Sequence, residues 1–250
     1  MTSRSVALAY HAVGPAPAGT PLPATFVPDA EFERQMDYLA SHRNVVPLNE
    51  LDRDPDGGGT RVAITFDDGY RSVLERAAPI LERYGFSATM FVPTAWLGDR
   101  NRWDGQDLTE LDLMTEAELA ELAGRGFEIA SHGHRHIDMA AESIDAVRED
   151  VEASVARING LLGRRPRHLA YPYGRSSQAA REVVRDCGFA EAFALEWEDR
   201  PFARSRTPVF PGDTGWRFAL KSSGGYAPLR RWRPVAAGYE LLRPLLRRGR

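Results

Sequence analysis

Arg61-Val-Ala-Ile-Thr-Phe-Asp-Asp-Gly-Tyr70 is the stretch on which the fold turns. Val62 to Phe66 is an apolar, β-branched run behind a glycine-rich turn (Gly57 to Gly59), a pattern that predicts a buried strand. The strand runs straight into two adjacent carboxylates, Asp67 and Asp68, and then into Gly69. Neighbouring acids repel, so either a cation holds them or one of them carries a proton. The plain alternative is a solvated Asp-Asp-Gly turn, because Asp and Gly are common turn residues.

Outward from this stretch, strand and helix signals alternate. Val6 to Tyr10 reads as a first buried strand ending at His11, followed by a Gly/Pro-rich loop from Gly14 to Pro28. Asp29 is positioned to N-cap a helix with Phe32, Met36 and Leu39 on one face. Val45-Val46 is a candidate short strand. Beyond Asp67-Asp68, Val73, Ala77, Ile80, Leu81 and Tyr84 recur at helical spacing up to Gly85, a C-cap glycine. Phe86 to Val92 is the next strand. Ala95 to Met114, with Trp96, Trp103 and Asp104, lacks a period and reads as a long functional loop. Thr115-Glu-Ala-Glu118 is a capping box. Phe127 to Ala130 is a strand that enters Ser131-His-Gly-His-Arg-His136. Ile144, Val147, Val151, Val155, Ile158 and Leu162 form the longest amphipathic stripe, a helix with a core-facing side. His168 to Tyr171 is a strand, Ser177 to Asp186 a helix, Phe189 to Leu195 a strand, and Thr207 to Phe210 a last short one. The alternation predicts parallel βα units in a barrel or a doubly wound sheet.

Composition narrows the classes. The 250 residues suit one α/β domain, and 43% hydrophobic with 27% charged residues is ordinary for a full core. A net charge of -3 gives no reason to expect a nucleic acid partner. Cys187 is the sole cysteine, which excludes an intrachain disulfide or a cysteine-based metal cluster. The N-terminus is short and weakly apolar for a signal peptide, so a soluble, cytoplasmic chain is expected. From Arg230 to Arg250 seven arginines face only Glu240, beside Leu241, Leu242, Leu245 and Leu246. Such a basic amphipathic end suits peripheral contact with an anionic membrane. Pro244 interrupts it, and a frayed tail is the competing reading. The expected division is a barrel domain over 1–220 and a basic tail over 221–250.

His11, Asp67-Asp68, His132 to His136 and Tyr171 to Gly174 all fall just after the C-terminal ends of predicted strands, the edge where parallel βα folds carry their sites. Three of the six histidines lie there within five residues. His132 and His136 are four apart, so one helical turn would set both imidazoles on one side. With one carboxylate they make a three-ligand set with positions left for water, suited to Zn²⁺ or to Co²⁺, Ni²⁺ or Mn²⁺. His134 reads as a loop residue in solvent; His42 and His168 read as structural or surface residues.

Thr65-Phe-Asp-Asp-Gly69, then Glu128-Ile-Ala-Ser-His-Gly-His-Arg-His-Ile-Asp-Met139, then Tyr171-Pro-Tyr-Gly174 resemble, in order and spacing, the motifs of the polysaccharide deacetylases, carbohydrate esterase family four. The resemblance runs from about Leu8 to Phe218. It implies a single-domain α/β fold, a distorted (β/α) barrel with fewer than eight regular strands. It also implies a metal-dependent hydrolase that removes an N-acetyl group from an amino sugar or glycan. By resemblance, Asp67 is the catalytic base, and Asp68, His132 and His136 hold the metal. The backbone N–H of Tyr173 would serve the oxyanion.

Two departures stand out. Familiar members carry a C-terminal histidine as general acid, whereas no histidine follows His168. They also carry an arginine, tethering the base, where this chain has Ala170. Leu8-Ala-Tyr-His11 is similar to the N-terminal Tyr-His of the branch that includes bacterial exopolysaccharide deacetylases, which implies His11 as the acid. Arg206 or Asp213 is a candidate to replace the tether or to orient His11. Two other readings compete: a non-haem iron oxygenase built on an Asp/His/His triad, normally on a jelly-roll, and a metal- or sugar-binding module without catalysis. The second gains if His11 lies far from the metal ligands.

Overall fold

The computed structural model of the protein describes residues 4–18, 20, 23–53, 59–103, 111–196 and 199–226. In chain order its elements are β1 (Arg4–Tyr10), β2 (Ala12–Val13), β3 (Phe26–Val27), α1 (Asp29–His42), β4 (Asn44–Val45), β5 (Thr60–Phe66) and α2 (Ala78–Arg83). There follow β6 (Thr89–Val92), α3 (Glu116–Gly124), β7 (Glu128–Ser131), α4 (Ile144–Leu162) and β8 (His168–Ala170). The last are α5 (Gln178–Asp186), β9 (Glu191–Ala194), β10 (Arg204–Ser205), β11 (Thr207–Pro208) and α6 (Trp216–Lys221).

The main sheet is parallel, in the order β10-β9-β8-β7-β6-β5-β1-β11, with β4 added against β5. Its longest pairing joins β1 to β5, from Arg4 against Thr60 to Tyr10 against Phe66. β10 and β11 are separated in the chain by Arg206 alone, yet one pairs with β9 and the other with β1. The two edges of the curled sheet therefore meet at that residue. Covalent chain, rather than a ladder of hydrogen bonds, closes the barrel, as a distorted barrel with few regular strands requires.

Side chains alternate along each strand, so the inward faces stack in layers. The middle layer is Ala7, Ala63, Phe91, Ala130, Ala170 and Phe193, all buried in one cluster. Alanines leave room for the two phenylalanine rings, whose centroids lie 6.1 Å apart. Below it, at the strand N-termini, the layer is polar. The Thr89 hydroxyl and the His168 Nδ1 reach the two oxygens of Glu128 at 2.9 and 2.6 Å, and Arg204 donates to Asp52 and Glu191. Above it come Thr65 and His132, two residues beyond Ala63 and Ala130 on the same faces, and then Asp67, two beyond Thr65. Outside the barrel, α1 sets Phe32, Met36 and Leu39 against Leu8, Tyr10 and Phe66. The α4 and α5 faces pack Val147, Val151, Val183 and Val184 with Leu169 and Tyr171.

Several expectations need adjustment. Pro28 occupies the cap position of α1, and Asp29 is its first residue, accepting from Arg76 rather than from a backbone N–H. The helix after Asp67-Asp68 opens as a π-turn over Val73–Ala77. The strand anticipated from Phe86 begins at Thr89, because Phe86 is used to stack on Tyr84 at 5.7 Å. The Thr115 capping box and the span of α4 stand as read. Lys221 and Ser222, at the expected start of the tail, are buried, and Lys221 pairs with Asp213. The basic run from Arg230 to Arg250, and with it the membrane-contact reading, lies outside the described residues. No helix among the described residues is long and apolar enough to cross a membrane.

Candidate active site

At the top of β5 the chain turns sharply: Asp68 and Gly69 both take left-handed conformations, φ 71° and 76°. A Cβ on Gly69 would lie 3.3 Å from Val92, so glycine suits both the conformation and the close approach. The turn gives the adjacent acids different surroundings. Asp67 donates its N–H to Tyr10 O at 3.0 Å, and both its carboxylate oxygens accept from Arg206 at 2.7 Å. Arg206 Nη1 also donates to the Thr65 hydroxyl at 3.0 Å, and its guanidinium lies 5.0 Å from the Phe91 ring centroid. Burial opposes charge on Asp67, but Arg206 and His132 outweigh it and hold the carboxyl below its usual range. With alanine at position 170, the guanidinium that grips Asp67 is that of Arg206. It enters from the barrel seam, while Asp213 is occupied by Lys221 and the N–H of Phe210.

Asp68 lies with the histidines. Its Oδ1 is 3.4 Å from His132 Nε2 and 3.3 Å from His136 Nε2, and one donor atom from each residue lies within 4.8 Å of the others. His132 Nδ1 is 2.8 Å from Ala170 O, and a carbonyl can only accept, so Nδ1 carries a proton. In a neutral imidazole that leaves a lone pair on Nε2 facing a carboxylate, which is repulsive unless a cation stands between them. Burial likewise opposes charge on Asp68, yet the two imidazoles hold it well below the ordinary carboxylate range. His132 is pushed up despite burial, by Asp67 and Asp68. The pocket favours positive charge at this point, and the residues fit a divalent ion.

The His132–His136 segment is not a helical turn. Gly133 and His136 have φ 75° and 61°, and the loop folds back so that both imidazoles meet Asp68. The expected proximity holds; its expected cause does not. His134 is half-buried rather than free in solvent: its ring Nδ1 lies 2.9 Å from the Thr94 hydroxyl.

His11 follows β1 directly; Tyr10 is in register with Phe66 and accepts the Asp67 N–H, so His11 and Asp67 leave neighbouring strands side by side. Tyr173 sits in a left-handed conformation, φ 60°, within the Pro172–Gly174 turn, and its ring meets His136 edge-on at 4.9 Å. On the other side Trp103 stacks on His136 at 4.4 Å, with Trp96 edge-on to Trp103 at 5.9 Å. Trp103 is carried by the stretch expected as a long loop, whose arms are tied by Gly98 N–H to Met114 O and Leu113 N–H to Asp99 O. Beside His136 these aromatics, with Arg102, Arg135 and Arg175, border an open cleft of about 500 Å³.

All six anticipated residues thus lie at one end of the barrel. Of the competing readings, the oxygenase is disfavoured by a parallel barrel in place of a jelly-roll, and the inert module by the closeness of His11 to the carboxylates. Asp150 was missed. It is a buried acid on the core-facing stripe of α4, at the register of Val147 and Val151, and its signal was a charge where an apolar residue belongs.

Comparison with known proteins agrees with this geometry. The family profile described as polysaccharide deacetylase matches residues 54–192. The Bacillus subtilis (strain 168) protein YxkH is 25% identical over 202 residues, covering 77% of this chain and 68% of its own length. The poly-beta-1,6-N-acetyl-D-glucosamine N-deacetylase of Staphylococcus aureus (strain MRSA252) is 26% identical over 183 residues, covering 68% of this chain. The chain spans 61% of that relative. Among solved structures, IcaB from Ammonifex degensii superposes with a TM-score of 0.72 at 24% identity, over 89% of this chain and 98% of that one. The Streptococcus pyogenes deacetylase PplD superposes with a TM-score of 0.73 at 18% identity, over 89% and 99%. At these identities both speak for the fold. The profile match, together with the motif order, leads to one conclusion: the chain belongs to the polysaccharide deacetylase family.

Proposed function

We propose that the protein is a metal-dependent N-deacetylase acting on an N-acetylated amino-sugar glycan. The observation that carries this is the split of two adjacent acids: Asp68 among two imidazoles, Asp67 gripped by Arg206. A carboxylate held that low is a weak base, so Asp67 needs an acidified water to deprotonate. A divalent cation at Asp68, His132 and His136, Zn²⁺ being the natural choice with Co²⁺, Ni²⁺ or Mn²⁺ as substitutes, supplies that by lowering the pKa of water and polarising an acyl carbonyl.

Asp67 takes the proton from water as the new C–O bond forms. The Tyr173 N–H donates to the oxyanion that develops on the carbonyl. His11, as general acid, gives a proton to the departing nitrogen as the C–N bond breaks. The products are acetate and a free amine, and atoms balance without a further reactant. The aromatic sides of the cleft suit the apolar faces of sugar rings, and the curated relative from Staphylococcus aureus supports a hexosamine polymer as substrate class.

The deciding assay is acetate release from a panel of N-acetylated sugars and oligosaccharides, with chelator and with added Zn²⁺ or Co²⁺. Chelator-sensitive release is expected from at least one amino-sugar substrate. Asp67→Asn should lose about 10²–10⁴ in rate while still binding metal; an active Asp67→Asn protein overturns the role of Asp67.

A further inference from the structure

Behind the histidines lies a second buried carboxylate. Asp150, on the core-facing side of α4, has a side chain with no solvent exposure, and it turns away from the apolar core towards the His132–His136 loop. Its Oδ2 accepts the backbone N–H of His134 at 2.7 Å, and its Oδ1 accepts that of Arg135 at 2.9 Å and Arg135 Nε at 3.2 Å. Both amides belong to residues between the two imidazoles that face Asp68. The preceding residue is fitted to the same carboxylate. A Cβ on Gly133 would lie 2.6 Å from Asp150 Oδ2 and 3.0 Å from Met139 Cε, at φ 75°. One turn along α4, the hydroxyl of Ser154 is 2.7 Å from that of Ser131, and Ser131 Oγ accepts the Gly133 N–H at 3.1 Å.

We propose that Asp150 is the positioning residue of the ligand loop. Its carboxylate acts as a template that holds two successive amides and so sets the spacing of His132 and His136. His136 in a left-handed conformation, φ 61°, makes this loop intrinsically unfavourable. A charge-assisted acceptor for consecutive N–H groups is the kind of bond strong enough to hold it. Groups that hydrogen-bond metal ligands directly typically carry a 10–100-fold effect on affinity, and a carboxylate that sets the backbone between two ligands is expected to act in the same range. Asp150 touches neither the donor atoms nor the cleft, so its effect is exerted through loop geometry. Gly133 is the matching requirement on the other side, since any side chain there displaces the carboxylate.

The inference rests on the metal reading of Asp68, His132 and His136, and its test separates the two. Asp150→Asn, Asp150→Ala and Gly133→Ala are compared with the parent in two measurements. The first is amide hydrogen exchange of residues 133–136 in metal-free protein; the second is calorimetric titration with Zn²⁺. Faster exchange at His134 and Arg135, with β1 and β5 amides unchanged, is expected in all three, together with Zn²⁺ affinity lowered at least tenfold. Asp150→Asn keeps the shape and one acceptor, so it should lie between the parent and Asp150→Ala. Parent-like exchange at those two amides in a folded Asp150→Ala or Asp150→Asn protein overturns the proposal. So does unchanged Zn²⁺ affinity once they have become labile. A parent protein that takes up no Zn²⁺ sinks the metal reading, while the exchange data still decide whether Asp150 holds the loop.

Discussion

Arg206 places two nitrogens on Asp67 from a side chain with no solvent exposure, against a carboxylate that is itself 4% exposed. Removing one partner of such a pair strands the other as a buried charge. Arg206→Met should therefore destabilise the fold by about 3–5 kcal/mol, read by denaturant titration. Adding Asp67→Asn to Arg206→Met should restore much of that stability and none of the turnover. In Arg206→Met, burial continues to push the Asp67 pKa up while its chief counterweight is gone. The acidic limb of kcat/KM should therefore move to higher pH, a shift that a merely structural arginine would not produce. Sequence showed the acids and histidines because the resemblance is local to each motif. It pointed to Arg206 only as one of two candidates, because a tether that comes from over a hundred residues away leaves no spacing to read.

At the scale of elements, α3 shows where local chemistry suffices. Thr115 accepts the Glu118 N–H at 3.2 Å, and Glu118 accepts the Thr115 N–H at 2.7 Å, the reciprocal box expected from Thr115-Glu-Ala-Glu118. Thr115→Ala should lower stability by about 1 kcal/mol with little change in KM. Burial raises the Glu118 pKa, but the Thr115 bonds and Arg71 prevail and hold it low. A carboxyl lowered on folding stabilises the protein above its unfolded value, near pH 4.3, and that contribution fades as pH falls through the folded value. Thermal melts between pH 6 and pH 3 should show this loss in the parent and a smaller one in Thr115→Ala. The long helix α4 was equally legible, because 19 residues of regular apolar spacing leave little ambiguity. The ligand loop was not. A His-x3-His interval fits a helix as well as a loop, and what selects the loop here is Gly133, the left-handed His136 and the distant Asp150.

For the whole molecule, the proposed metal site couples binding to stability. The donors come from the ends of β5 and β7, so a bound ion favours the folded chain alone. Metal at one hundred times its Kd should add about 2.7 kcal/mol, and Tm should fall by roughly 5–10 °C on chelation. A Tm indifferent to chelator and to added Zn²⁺ would contradict a preformed site.

Closure of the barrel at Arg206 has a temporal consequence. His11, Asp67, Asp68, His132 and His136 all leave the ribosome before Arg206. A nascent chain can gather Asp68, His132 and His136 early, but Asp67 remains without its counter-charge until the two edges of the sheet meet. The residue that joins them is the one that grips Asp67, so closing the barrel and neutralising its buried acid are one event.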